Sequence, residues 1–228
     1  MKGKHEEVLQ RFLYDMYLQS DRERAPDAPL SLFKQELLDA GFPIDLLEES
    51  WNYMPKYRKT IVPIAAKYFG MASTMREKEY LLRWFRYRGL HEMVPILLDE
   101  IDSVLRRDPA DARSYLWSLA DTLYMIRDPH YAEQYLALIQ DDRMGSARQM
   151  LVSLLGQMKY EPAYPVFAEL LHDPQVTIHA MGAIADFGRA ESLPLLEPFL
   201  QSSNSVYRKY GKRAVERIQK KISHSPVA

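Results

Sequence analysis

The chain has 228 residues, enough for one large domain or two small ones, and 47% are hydrophobic, which excludes a wholly disordered chain. Its 30 Lys and Arg residues nearly balance 31 Asp and Glu residues. A net charge of −1 argues against a protein that wraps nucleic acid or coats an anionic membrane, although local basic patches stay possible. The absence of cysteine excludes disulfides, thiolate nucleophiles and Cys-ligated zinc.

The N-terminal segment lacks the apolar run of a signal peptide. No window approaches the roughly 20 apolar residues that span a bilayer. We therefore expect a cytoplasmic protein without a membrane partner. The first predicted element is a helix with apolar residues at helical spacing over 9–16, followed by a loop over 20–29 that is rich in charge, Ala and Pro.

Helix signals continue along the rest of the chain. Thr74 with Glu77 predicts a capping box, and so does Ser146 with Gln149. Asp-Pro pairs also predict helix starts, because Asp accepts from free backbone N–H groups and Pro suits the first helical position. These pairs are Asp108-Pro109, Asp128-Pro129 and Asp173-Pro174. We expect about thirteen helices and no strand.

A repeat appears when three segments are laid over one another: 123–133, 155–165 and 184–194. Each has two apolar residues three positions apart, then a polar turn and the start of another helix. The segments begin 32 and 29 residues apart. Upstream, Pro63 and Pro95 are predicted to stand at the heads of equivalent second helices. Periods of this size indicate stacked helix pairs that share one continuous core.

The sequence over 155–200, LGQMKYEPAYPVFAELLHDPQVTIHAMGAIADFGRAESLPLLEPFL, resembles tandem HEAT repeats of the bacterial, phycobilin-lyase-like kind. The stretches 117–121 and 145–150 are also similar to uncharacterised bacterial proteins with HEAT repeat domains. The resemblance extends from about 108 to the end and is looser over 45–107. It implies an armadillo-like α solenoid that acts as a scaffold or adaptor, and it carries no catalytic motif to this chain.

We therefore predict an all-α fold, a right-handed α-α superhelix of about six HEAT-like helix pairs. The predicted organisation is an N-terminal helical cap at 1–44, a repeat array at 45–222 and a disordered tail at 223–228. Five side chains should be buried between the layers: Leu155, Met158, Ile184, Phe187 and Ile218.

No catalytic signature is found in the sequence. It contains no P-loop, HExxH, GxSxG or GxGxxG motif. The six histidines are scattered, and His172 and His179 are separated by a helix break. We expect no metal, no nucleotide and no tightly bound cofactor, and a protein that is not an enzyme.

An arginine-aromatic segment allows two interpretations. Tyr80, Trp84 and Tyr87 share one helical face, and Arg83 and Arg86 lie beside it. The segment either binds phosphate or acidic side chains with aromatics to stack, or consists of core aromatics flanked by solvated arginines.

A second candidate is Asp121, four residues after Trp117 in an otherwise apolar helix. A carboxylate there needs a donor. It either braces a neighbouring repeat, for instance through Arg143 or Arg148, or lines a binding surface. A third candidate is the basic C-terminal helix, which is either the polar face of a terminal repeat or a nucleic-acid patch.

The favoured function is a non-catalytic protein-protein interaction module: an adaptor, a scaffold or a neutralising partner. The predicted partner-binding residues are Arg83, Arg86, Tyr87, Trp117, Asp121, Tyr124 and Arg148. The alternative is a DNA-binding protein similar to the HEAT-repeat alkylpurine DNA glycosylases, with nucleic acid as the less favoured partner. A third possibility is a helper that attaches or removes a bilin chromophore, for which no particular residue speaks.

Overall fold

The computed structural model describes residues 27–42, 50–107 and 109–224. Within these ranges the chain forms eleven α-helices and no β-strand, so the predicted all-α class is confirmed. The predicted helix over 9–16, most of the predicted loop over 20–29 and Asp108 lie outside the described residues, as does the end of the predicted tail.

The helices are, in chain order, α1 (Pro29–Asp39), α2 (Ser50–Met71), α3 (Met75–Leu82), α4 (Val94–Leu105), α5 (Arg113–Ile126), α6 (Ala132–Ile139), α7 (Arg148–Met158), α8 (Tyr164–Leu170), α9 (Thr177–Phe187), α10 (Leu193–Leu200) and α11 (Ser205–His224). The chain divides into two compact units, residues 1–84 and 85–228. The predicted repeat array over 45–222 therefore includes parts of both units, and α11 continues two residues beyond it.

Buried aromatic rings form the core of the first unit. The Phe33 ring meets the edges of Tyr68 and Trp84, with centroids 5.9 and 5.6 Å apart. Phe42 packs in the same way against Tyr57 and Trp84, at 5.2 and 6.1 Å. Trp84 is therefore a core residue rather than a surface stacking platform, as the second interpretation of the arginine-aromatic segment predicts.

Some predicted helix starts are confirmed, among them those at Thr74, Pro95 and Asp128, whereas those at Pro63 and Ser146 are wrong. Thr74 and Glu77 form the predicted capping box at the start of α3. Pro63, predicted at the head of a helix, lies well inside the 22-residue helix α2. Ser146 does not cap α7, because it lies within a 3-10 helix, and the Gln149 side chain instead donates to the backbone oxygen of Gln175 at 2.6 Å.

One local structure recurs at four junctions among the described residues of the second unit. Each junction has a residue with left-handed backbone, one connecting residue, a three-residue 3-10 helix and then an α-helix. The left-handed residues are Gly89, Arg127, Lys159 and Gly188, with φ of 80°, 58°, 49° and 74°. The last three follow the predicted register, since each lies four residues after the start of one of the three aligned segments. The local structure therefore repeats as the sequence alignment predicts.

The helices of the second unit pack mainly against near neighbours in the chain. Helices α5, α7, α9 and α11 pack one against the next. Helix α4 packs on α5, α6 on α7, α8 on α9, and α10 on α11. Helices α7 and α9 approach closely at Gly156 of α7, where an added Cβ would lie 2.6 Å from Ala183 Cα of α9. A glycine is therefore required for these two helices to approach so closely.

Three of the five predicted core side chains are fully buried: Leu155, Ile184 and Ile218. Met158 and Phe187 are only half-buried, so this part of the prediction is wrong. The Phe187 ring instead lies 4.9 Å from the Tyr164 ring, at the edge of the core, with the Arg189 guanidinium carbon 5.2 Å from its centroid.

Candidate functional site

The middle of α5 presents one half-buried face. Trp117, Asp121 and Tyr124 occupy positions i, i+4 and i+7, which place them on the same side of a helix. All three are half-buried, and Met125 beside them is exposed. The opposite side of α5 is buried through Leu116, Leu119, Ala120 and Leu123. Three of the predicted binding residues therefore lie together.

Asp121 is held by an ion pair with Arg86, from the segment that precedes α4. The Asp121 side chain is 15% exposed and that of Arg86 is 28% exposed. The predicted partners were wrong, because Arg143 pairs with Asp141 of its own turn at 2.6 Å. The pair satisfies the carboxylate that the sequence places in an apolar run and neutralises the charge of this part of the surface.

Tyr124 is fixed from α7, which packs on α5. Its hydroxyl accepts a hydrogen bond from Gln157 Nε2 of α7 at 2.9 Å. The guanidinium carbon of Arg127 lies 5.1 Å from the centroid of the Tyr124 ring, and Arg127 also donates to Gln157 Oε1. The ring is thus ordered before any partner arrives.

Arg148 is not a surface residue, and its place in the predicted partner-binding set is corrected. Its side chain is 3% exposed. The guanidinium donates to Gly145 O at 3.1 Å, to Asp142 Oδ1 at 3.0 Å and to Asp173 Oδ2 at 2.5 Å. Asp142 and Gly145 precede α7, and Asp173 precedes α9. Arg148 therefore joins the start of α7 to the turn before α9.

Arg83 and Tyr87 fall on opposite sides of the boundary between the two units. Arg83, in the first unit, is exposed, and its guanidinium carbon lies 5.8 Å from the Tyr80 ring centroid. Tyr87, in the second unit, is half-buried. Within the second unit the structure pairs Arg86 with Asp121 on the α5 face.

The structure also brings together residues that sequence reasoning missed. The Asp128 carboxylate is 2% exposed, with His91 Nδ1 2.7 Å from one oxygen and His130 Nδ1 2.7 Å from the other. Burial opposes ionisation of Asp128, but the His130 backbone N–H and the two imidazoles outweigh it and lower the pKa of the carboxyl. The sequence carries one signal of this cluster, the Asp128-Pro129 pair. His91 lies 37 residues before Asp128, so no local pattern connects the two residues.

This histidine-aspartate cluster has the features of a structural clamp. Asp128 also accepts the His130 backbone N–H at 3.0 Å, as the cap of the junction before α6. Behind it, burial raises the pKa of Tyr135, whose hydroxyl has no hydrogen-bond partner among the described residues. Among all the described residues, no group of three or more His, Asp or Glu side chains has an arrangement that could hold a metal ion.

None of the helices within the described ranges is long and apolar enough to cross a membrane. Comparison with models of protein families, with curated proteins and with solved structures finds no match to this chain.

Proposed function

We propose that the chain is a HEAT-like α-α solenoid, a right-handed superhelix of about six helix pairs, that works in the cytoplasm as a non-catalytic protein-interaction module. The recurrence of one junction before α4, α6, α8 and α10 supports the solenoid. So does the packing of α5, α7, α9 and α11 in succession. Stacked pairs of this kind present side chains from several repeats on one continuous surface.

The proposed binding surface is the α5 face: Arg86, Tyr87, Trp117, Asp121 and Tyr124. The observation that carries the proposal is the half-buried Trp117 and Tyr124 on one side of α5, with Tyr124 held by Gln157 of the next helix. Trp, Tyr and Arg are the residues most often found as energetic anchors in protein interfaces. Anchors that are already ordered lose less conformational entropy when a partner binds.

The charge of this face favours a protein partner over DNA. Arg86 is neutralised by Asp121, so the five residues of the α5 face have no net charge to offer a phosphate backbone, although the guanidinium of Arg127 lies beside the Tyr124 ring. The same pair engages Asp121, the carboxylate that the DNA glycosylase alternative would use at this face. The DNA glycosylase alternative therefore has no support at this face.

The binding surface can be tested by capturing partners from native lysate with the tagged full chain. The variant Trp117→Ala/Tyr124→Ala should bind its specific partner with an affinity lower by about tenfold or more, since interface anchors contribute about 2 kcal/mol or more each. The matched control Tyr131→Ala/Tyr160→Ala removes two half-buried tyrosines outside this face and should retain the partner. Equal capture by both variants, with both folded, would contradict the proposed surface.

The solenoid can be tested separately by removing one period. Deletion of residues 128–159 joins Arg127 to Tyr160 and so preserves one left-handed junction. In a solenoid, α9 can then pack on α5, and the chain should stay helical and unfold cooperatively. Loss of a cooperative unfolding transition in urea would mean that the helices form a fold that cannot lose one pair.

A further inference from the structure

The last helix concentrates positive charge. Helix α11 carries one acidic residue and seven basic ones, in a chain whose formal net charge is −1. The basic residues are Arg208, Lys209, Lys212, Arg213, Arg217, Lys220 and Lys221. A terminal repeat needs a polar outer face, but a polar face need not be of one sign of charge.

Three of the seven basic side chains are engaged by residues outside α11. Arg217 pairs with Asp186 of α9, and Lys221 Nζ donates to the backbone oxygen of the same Asp186 at 2.6 Å. Arg208 Nη1 donates to the backbone oxygen of Ser202 at 2.5 Å. These contacts fasten α11 to the end of the preceding helices, and they explain less than half of the positive charge.

The others point away from the core. Lys209, Arg213 and Lys220 are exposed and lie within about 40° of one another around the helix, at i, i+4 and i+11. They form a stripe about 16 Å long at 1.5 Å per residue. Tyr210 beside them is 37% exposed, with the Lys209 nitrogen 6.0 Å and the Arg213 guanidinium carbon 5.6 Å from its ring centroid.

Acidic neighbours do not cancel this stripe. The only acidic residue of α11, Glu216, lies on the same side of the helix, three residues after Arg213 and four before Lys220, and its carboxylate is 3.9 Å from Lys212. It offsets one of the positive charges of Lys209, Lys212, Arg213 and Lys220. Asp186, the acidic residue of α9 that α11 contacts, is engaged by Arg217. The stripe of Lys209, Tyr210, Arg213 and Lys220, hereafter the basic stripe, therefore keeps an excess of positive charge.

A row of cations beside one exposed aromatic ring matches a single-stranded nucleic acid, which offers regular phosphates and bases with exposed faces. A membrane surface would require an apolar stripe along the helix. The exposed Val206 and Ile222 do not form one, because sixteen residues of helix place them about 160° apart. The anchors of a protein interface usually cluster in a packed, desolvated centre, whereas the stripe is exposed along its length and Tyr210 is its single aromatic residue.

We propose that the basic stripe on α11 is a binding site for single-stranded nucleic acid, in which Lys209, Arg213 and Lys220 contact phosphates and Tyr210 stacks on a base. The site is separate from the α5 face and does not depend on its proposed protein partner. Because phosphate contacts carry no sequence information, binding should be independent of base sequence.

The test is fluorescence anisotropy of the full chain with a labelled oligonucleotide of about 20 nucleotides, single-stranded in one arm and duplex in the other. The variant Lys209→Glu/Arg213→Glu/Lys220→Glu should weaken single-strand binding by about tenfold or more. The control Lys56→Glu/Lys59→Glu/Arg76→Glu makes the same change in net charge on exposed residues of the first unit and should bind within about twofold of wild type. Three phosphate contacts predict a slope of about −2 for log affinity against log salt concentration.

Tyr210→Ala should weaken single-strand binding by about fivefold and leave duplex binding unchanged, because only unpaired bases can stack on the ring. The proposal is overturned if the control loses as much affinity as the stripe variant, or if the duplex binds as tightly as the single strand. It is also overturned if wild type prefers a poly-glutamate peptide or anionic phosphatidylserine vesicles, or if the stripe variant loses self-association instead. Circular dichroism of each variant confirms that the chain is folded.

Discussion

The close approach of α7 and α9 at Gly156 makes a specific prediction about stability. In Gly156→Ala the new methyl group would lie 2.6 Å from both Cα and Cβ of Ala183. Carbon atoms pack best at about 3.5–4.0 Å, so the helices must separate by roughly 1 Å. Overpacking of this kind costs about 1–3 kcal/mol, and the obstacle here is backbone that cannot rotate away. The better helix propensity of Ala returns about 1 kcal/mol. We expect a net loss of up to about 2 kcal/mol.

The chain offers a matched control one residue from the contact. Gly182 also lies within α9, but an added Cβ would meet no atom within 4 Å. Gly182→Ala should therefore stabilise the chain by about 0.5–1 kcal/mol, through helix propensity and reduced freedom of the unfolded chain. Urea unfolding followed by far-UV circular dichroism measures both changes. If Gly156→Ala stabilises the chain as much as Gly182→Ala does, the two helices do not approach as described.

Three further predictions concern charged or titratable groups. Arg148→Met should lower the free energy of unfolding by about 2 kcal/mol in urea titrations, because Asp173 and a backbone oxygen lose their donor. An unchanged urea midpoint would show that Arg148 does not stabilise the contact between the start of α7 and the turn before α9. Arg86→Glu should lower the free energy of unfolding by about 1 kcal/mol, because it places a second carboxylate beside Asp121. In a double-mutant cycle, the exchanged pair Arg86→Glu/Asp121→Arg should recover most of this loss. Additive losses from the two substitutions would argue against the pair. Burial lowers the pKa of His179, so the unfolded chain binds the extra proton as pH falls below about 6.5, and stability should decrease from there. His179→Leu should flatten this loss between pH of about 7.5 and 5, and an identical pH profile would show that another group causes it.

The junctions of the second unit were predictable because their signals are local. An apolar helix end, a short polar turn and Pro at the start of the next helix recur within a few residues of one another. Pro165 and Pro194 indeed stand at the second position of α8 and α10, as Pro95 does in α4. Backbone conformation follows from such neighbours with little help from the rest of the fold.

Features that depend on distant partners were not predictable in the same way. Pro63 gives the same local signal as Pro95, yet packing within the first unit holds α2 helical through it. The sequence did not predict that Arg148 is buried, because Asp173, which accepts from its guanidinium, is 25 residues away. The histidine clamp on Asp128 likewise requires a residue from the preceding junction. Composition and periodicity carry no information about such pairs.

The neighbour-to-neighbour packing of the second unit also has a kinetic consequence. Its helix contacts close loops of about one repeat, so each contact has only a modest entropic cost of closure. Chains dominated by such local contacts fold fast, and folding can start at any adjacent pair and spread in both directions. Helix α11 packs on α9 and α10, which both precede it in the chain. Its amides should therefore exchange with solvent sooner than those of α7, and unfolding should proceed inward from the C-terminal end.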